Sequence, residues 1–218
     1  MFKVVTITRE YGSGGGIVAR AVAEKLRWNL LDRELIRAVA RTAEIDTDLA
    51  ERYDEHVEPW WQRFHRAGVW TAAIMAGIAP IDAQFVDAAT VAALTRQIML
   101  IAAARGACVI VGRCAQCALL GRDDVLHVFV GASWAERVRR VRGGAPLGQD
   151  VEESIRVTDD QRARYIRTYY GCDWKDPHLY HMRIGSPIGT EMASWMIVNA
   201  VKGVAQLEHC SSGQPGRW

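Results

Sequence analysis

The sequence predicts an α/β fold in three layers, a parallel sheet with helices on both faces. Three observations predict it. Short apolar, β-branched runs, KVVTIT at residues 3–8, ACVIV at 107–111 and VLHVFV at 125–130, read as strands buried on both sides. Stretches of helical periodicity separate them, and such alternation is the pattern of strands joined by crossover helices. A glycine cluster, YGSGGG at 11–16, sits where the first strand gives way to the first helix.

In chain order, the strand at 3–8 closes on the charged pair Arg9 and Glu10. Ile17, Val18, Ala21, Val22 and Leu26 then share helical spacing and predict a helix over 17–26. Residues 28–31 form a second short strand ending at Asp32, with a helix over 34–43. From 46 to 87 the pattern loosens. Trp60, Trp61, Phe64, Trp70 and Met75 lie among charges, Gly68, Gly77 and Pro80, so one or two helices are expected outside the sheet. Their aromatics form either a satellite core or a substrate wall or partner surface. A helix over 91–105 leads into the strand at 107–111, which ends at Gly112 and Arg113. After the strand at 125–130 comes a helix over 134–141 with the basic run Arg137, Arg139, Arg140 and Arg142. A Gly/Pro loop at 143–148, an arginine-rich polar helix over 151–169, a last strand at 181–184 and a helix over 189–207 complete the fold. Residues 211–218 read as a frayed tail.

Half of the 218 residues are apolar and 24% are charged, the composition of a globular chain with a full core. That excludes a disordered, collagen-like or disulfide-framework protein. A net charge of +2 leaves too little excess for a general nucleic-acid binder. Of 27 basic residues only four are Lys, and the remaining Arg present planar forks suited to phosphate or carboxylate. Codon bias produces the same skew without function. No apolar run reaches the roughly 18 residues of a membrane span, and the N-terminus lacks a signal-peptide pattern, so a cytoplasmic protein with no membrane partner is expected. Five cysteines fit reduced thiols better than a disulfide framework. Cys114 and Cys117 have redox or zinc spacing, but without a second pair or a nearby His such spacing is more often coincidence in an Ala/Cys-rich segment, and no metal site is assigned.

A strand, glycine turn and helix in succession make a phosphate site for a physical reason. The helix N-terminus offers unpaired N–H groups and the positive end of its dipole, and glycines let the backbone wrap an oxyanion without Cβ clashes. Residues 9–17 (REYGSGGGI) have the length of a P-loop but not its side chains. Arg9 stands at the first Gly and Gly14 at the second; Gly15 replaces the Lys, and Gly16 and Ile17 supply no hydroxyl. Two other readings stay open at this point. Gly14, Gly16 and Ala19 match a dinucleotide G-x-G-x-x-A turn with Asp32 following a strand, although six residues separate Ile7 from Gly14. A flexible turn without a ligand is the other.

The segments Thr8–Gly15 (TREYGSGG), 30–36 (LLDRELI) and 109–113 (VIVGR), with Asp159, Arg162, Tyr165, Tyr169, Gly171, Trp174, Asp176 and Tyr180 in order behind them, resemble successive motifs of the cytidylate kinase-like family. The resemblance covers about residues 2–205 and implies a P-loop NTPase-type sheet with a helical lid and acceptor-site excursion. One domain is expected over 1–210, with 46–90 as the acceptor-side excursion and 143–170 as the lid. Members commonly lack the P-loop Lys. By the same resemblance, Gly12, Ser13, Gly14, Gly15, Gly16 and Arg9 would hold donor phosphates, and Asp32, Arg33 and Arg113 the acceptor. Arg113, Arg156, Arg162 and Asp159 would carry transfer, with ATP and Mg²⁺ as cofactors. The ligands implied are small-molecule nucleotides. Cys114 stands where the kinase motif Gly-Arg-Asp has its Asp, which weakens any cytidine contact; Arg9 and Arg20 are candidates for the missing cation.

Two functions of different class follow. One is an enzyme moving a phosphoryl group from ATP to a nucleoside monophosphate or similar small acceptor, favoured by the ordered arginines. The other is a degenerate kinase-fold sensor or protein-interaction module, favoured by the Lys-free loop.

Overall fold

The structure, a computed structural model, describes residues 1–32 and 88–211. The chain divides into two compact units, Met1–Leu30 with Ala107–Trp218, and Leu31–Gly106. The first unit carries β1 (Val4–Arg9), α1 (Gly15–Leu26), β3 (Cys108–Val111), the short α3 (Ala115–Ala118), β4 (Val125–Gly131), α4 (Trp134–Arg142), α5 (Val151–Tyr170), β5 (Met182–Gly185) and α6 (Thr190–Ser211). Strand β2 (Asn29–Leu31) ends at the boundary, and α2 (Ala88–Arg105) belongs to the second unit. On α2, Ala92, Thr95, Ile98, Met99, Ala102 and Ala103 are buried at helical spacing, so this helix has one covered face.

The strands lie in the order β2-β3-β1-β4-β5. β1 is central and parallel to both neighbours, with Val5 opposite Val109 and Leu126, and β4 is parallel to β5. Side chains alternate between the two faces, as the strand period of two requires. Val5, Ile7, Leu126, Val128 and Val130 turn to one face and pack with Val18 and Val22 of α1 and Ala193 and Ile197 of α6. On the opposite face Phe129 packs with Ile166 of α5, Trp174 and Tyr180. Three layers result, as the sequence predicts.

That second face is polar at its centre. Thr6 Oγ1 lies 2.7 Å from His127 Nδ1, and Thr8 Oγ1 donates to Gln116 Oε1 at 2.9 Å. Burial pushes the His127 imidazole down to about 4, helped by the neighbouring His181, whose ring stacks on it at 5.2 Å.

The expected elements over the described residues appear with ends shifted by a few residues. Helix α1 starts two residues early because Gly14, at φ 79°, caps it and Gly15 and Gly16 enter its first turn. Helix α2 likewise begins at Ala88 rather than 91. The sequence reading lacks α3, four residues long, and two 3₁₀ turns at Pro177–Leu179 and Ser186–Ile188. The helix expected over 34–43, the aromatic-rich stretch at 46–87 and the tail beyond residue 211 lie outside the described residues.

Candidate functional site

The C-terminal ends of parallel strands are where α/β sheets bind ligands. Here that edge is made by the loop after β1 and the turn after β3. The loop runs from Glu10 to Gly14, with Gly12 and Gly14 both in the left-handed region at φ 78° and 79°. A Cβ on Gly12 would stand 2.8 Å from Val141 Cγ2 and 3.0 Å from the Arg137 carbonyl oxygen, so only glycine fits against α4.

Three guanidinium groups hold the loop by its carbonyls. Arg162 Nη1 donates to Arg9 O at 3.0 Å, Arg137 Nε to Tyr11 O at 2.7 Å and Arg140 Nη1 to Ser13 O at 2.6 Å. These are alternate residues of the loop, so its carbonyls turn toward α4 and α5. Asp159 completes the clamp. Its Oδ1 accepts from Tyr11 N at 2.9 Å and from Arg162 Nη1 at 3.2 Å, while Oδ2 pairs with Arg137. Glu10 adds a second carboxylate to Arg137 at 3.5 Å and accepts from Ala132 N at 3.1 Å. Burial pulls the Arg162 guanidinium below its ordinary value, and Asp159 opposes that fall.

With its carbonyls engaged, the loop keeps N–H groups for another acceptor. Gly15 N donates to Ser13 Oγ at 3.4 Å, and Ile17 N and Val18 N donate to Gly14 O. Among the described residues, no protein acceptor pairs with the N–H groups of Gly14 and Gly16. No side chain stands within 4 Å of a Cβ built on Gly16, so the first turn of α1 is open there. Unpaired amides at a helix N-terminus beside open space fit a phosphate group. The loop offers Mg²⁺ no hydroxyl at residues 16 and 17, and among the described residues no cluster of three His, Cys, Asp or Glu is arranged for a metal.

The two departures from the P-loop pattern meet in space. A Cβ on Gly15, at the Lys position, would lie 2.6 Å from Arg9 Cβ and 3.2 Å from Val130 Cβ. Arg9, at the position of the first Gly, fills the room a Lys stem would need. Its Nη1 reaches to 2.5 Å from where a Gly112 Cβ would be, so the Arg9 cation lies against the end of β3.

Arg113 follows in that same turn. Gly112, Arg113 and Cys114 are all left-handed, at φ 71°, 54° and 59°, and Gly112 N donates to Ile7 O at 3.0 Å. A non-glycine residue in this region costs about 1–2 kcal/mol. Two in succession at a sheet edge are strain held by the surrounding packing, of the kind that collects at binding sites. The positive charge of Arg113 reaches Tyr165 on α5, where it opposes the rise that burial imposes on the phenol.

The structure thus brings Arg9, Gly12, Ser13, Gly14, Gly15, Gly16, Asp159 and Arg162 together, with Arg113 on the neighbouring strand end. It places Arg156 elsewhere. That side chain is 60% exposed, 3.9 Å from Glu152 and Glu153, and lies over the Trp134 ring at 5.3 Å. Asp32 follows β2, and Arg33 lies outside the described residues. Sequence reasoning missed Arg137 and Arg140, which it placed only in a basic run. Their spacing of three on one helix, with Val141 beside Arg140, was the available signal of a shared face. Arg139 and Arg142 line an open groove of about 560 Å³ with Trp134 and Glu152.

Comparison with known proteins bears on the fold. An uncharacterized protein from Eubacterium ventriosum ATCC 27560 superposes with a TM-score of 0.64 at 20% identity, covering 93% of this chain and 99% of that one. Shikimate kinase from Bacteroides thetaiotaomicron gives a TM-score of 0.48 at 15% identity over 91% and 98%. Shikimate kinase from Aquifex aeolicus gives 0.46 at 14% over 93% and 98%. No curated protein matches the chain. No helix among the described residues is long and apolar enough to cross a membrane. The sequence model of the cytidylate kinase-like family matches residues 4–187, and with the sheet order this makes the fold that of a P-loop kinase, a nucleotide-binding architecture.

Proposed function

The chain belongs to the cytidylate kinase-like family, and from that premise we propose that it transfers a phosphoryl group from Mg²⁺–ATP to a nucleoside monophosphate or similar small acceptor. The observation that carries this reading is the loop clamped by Arg137, Arg140 and Arg162 through its carbonyls, which leaves the N–H groups of Gly14 and Gly16 for phosphate oxygens. Phosphoryl transfer asks little covalent help of a protein. It asks for positioning and for positive charge near the transferring group.

Each residue then has a task. Gly12 to Gly16, with Ser13 buried beneath, form the cradle for donor phosphates. Arg9 carries the cation that the motif's Lys would otherwise bring. Arg113, on its strained turn, holds the acceptor phosphate, and Arg162, half-buried beside the loop, neutralises charge that develops during transfer. Asp159 positions Arg137, Arg162 and Tyr11 N. The metal would travel with the triphosphate, since the loop supplies no hydroxyl for it, and the family resemblance assigns Asp32 and Arg33 to the acceptor.

A second reading has its own supporting observation. Three arginines of α4 and α5 direct their donors to backbone carbonyls at the loop, and residue 15 has no room for a Lys. A nucleotide sensor without turnover uses the same cradle. A coupled ADP-release assay across CMP, UMP, AMP and deoxy acceptors, run beside ATP calorimetry, separates the two. Turnover with one acceptor class supports the transferase; tight ATP binding with no turnover supports the sensor. In the transferase, Arg113→Ala is expected to raise the barrier by ~2–4 kcal/mol, the scale of losing one preorganised charge donor. An unchanged rate removes Arg113 from the site.

A further inference from the structure

The turn after Arg113 brings a second kind of chemistry close to the loop. Cys114 caps α3, Cys117 lies one turn along it, and Cys172 follows the Gly171 cap of α5. All three are free thiols, and they pack in one cluster with Phe129, Ile166, Trp174 and Tyr180. The Cys117 thiol interacts with those of both Cys114 and Cys172. The members differ in access. Cys114 is 1% exposed, whereas Cys117 and Cys172 are each half-buried at the cluster's rim. Cys172 Sγ also donates to Tyr170 O at 3.3 Å, which holds it at the C-terminal end of α5.

We propose that Cys117 is a site of oxidation by hydrogen peroxide, with Cys172 as the thiol that resolves the product into a Cys117–Cys172 disulfide. In the first step the Cys117 thiolate sulfur attacks one peroxide oxygen. An S–O bond forms, the O–O bond breaks, and the departing hydroxide takes a proton to become water. In the second, the Cys172 sulfur bonds to Cys117 Sγ, and the sulfenic hydroxyl leaves with the Cys172 proton as a second water. One peroxide is reduced by two electrons and two thiols become one disulfide. A hydrogen bond from the Cys114 thiol favours the thiolate at Cys117, against burial, and the thiolate is the reactive form. The bond would tie the turn behind Arg113 to the C-terminal end of α5.

Cys108 is an internal control. It is buried in β3, its thiol pushed up to about 12 by burial, and it takes no part in the cluster. The test treats the full chain with hydrogen peroxide, alkylates residual thiols and maps peptides by mass spectrometry. The expected product links Cys117 to Cys172 in the wild-type protein and in Cys114→Ser, and is absent from Cys117→Ser and Cys172→Ser. Before oxidation, iodoacetamide at neutral pH should label Cys117 at least ~10-fold faster than Cys108. A Cys114–Cys117 link, a sulfenic acid left unresolved, or equal labelling of Cys117 and Cys108 overturns the proposal. The mapping requires no turnover, so it stands or falls apart from the phosphoryl-transfer reading.

Discussion

Asp159 accepts from a backbone amide and two guanidiniums, and it is 13% exposed beside an Arg137 that is 8% exposed. Removing one partner of so enclosed a pair leaves the Arg137 charge with little water and only the longer Glu10 contact, at 3.5 Å. Asp159→Ala is therefore expected to destabilise the fold by about 3–5 kcal/mol in urea denaturation. Arg156→Ala makes the contrast. Its side chain is exposed and its ion pairs are long, so stability should change by no more than about 0.5 kcal/mol. His127 contributes a pH dependence. Its folded value, about 4, lies below its ordinary 6.5, so the unfolded chain binds more protons between these values. Stability should be full above about pH 6.5 and decline toward pH 4, by on the order of 3 kcal/mol, and His127→Gln should flatten that decline. A pH series of denaturation curves reads both. A wild-type curve level across that window refutes the assignment.

At the scale of elements, the glycines of the loop are not equivalent. Gly12 is left-handed and pressed against α4, whereas Gly16 sits in the first turn of α1 with open space beside it. Gly12→Ala should lose at least ~1–2 kcal/mol from the left-handed backbone alone and loosen the loop. Gly16→Ala should hold or gain up to ~1 kcal/mol, as an alanine replaces a glycine in a helix. Thermal melts of the two variants check the contrast. This difference was not legible in the sequence, where both residues belong to one glycine run. The strands were legible, because runs such as VVTIT and VLHVF carry their burial in composition. Short α3 was not, since four residues show no period. Arg137 and Arg140 escaped for a different reason. Their acceptors are backbone carbonyls more than 120 residues earlier, and carbonyls leave no trace in a sequence. Arg9 and Gly15 were each visible as a departure from the P-loop pattern. That one side chain occupies the room vacated at the other required coordinates.

At the scale of the molecule, the sheet gathers the ends of β1 and β3 at one edge, and α4 and α5 fix the loop there from behind. The division of labour is physical. Guanidiniums take the carbonyls of Arg9, Tyr11 and Ser13, and the amides of Gly14 and Gly16 are left for an anion. The proposed nucleotide function rests on those amides. The most direct measurement is a titration of ¹⁵N-labelled protein with Mg²⁺–ATP, followed by amide NMR. Saturable shifts should be largest at Gly14 and Gly16, and Gly12→Ala should weaken them. Absence of saturable shifts at these two amides, or binding that displaces only residues remote from the loop, would contradict the assignment of this site.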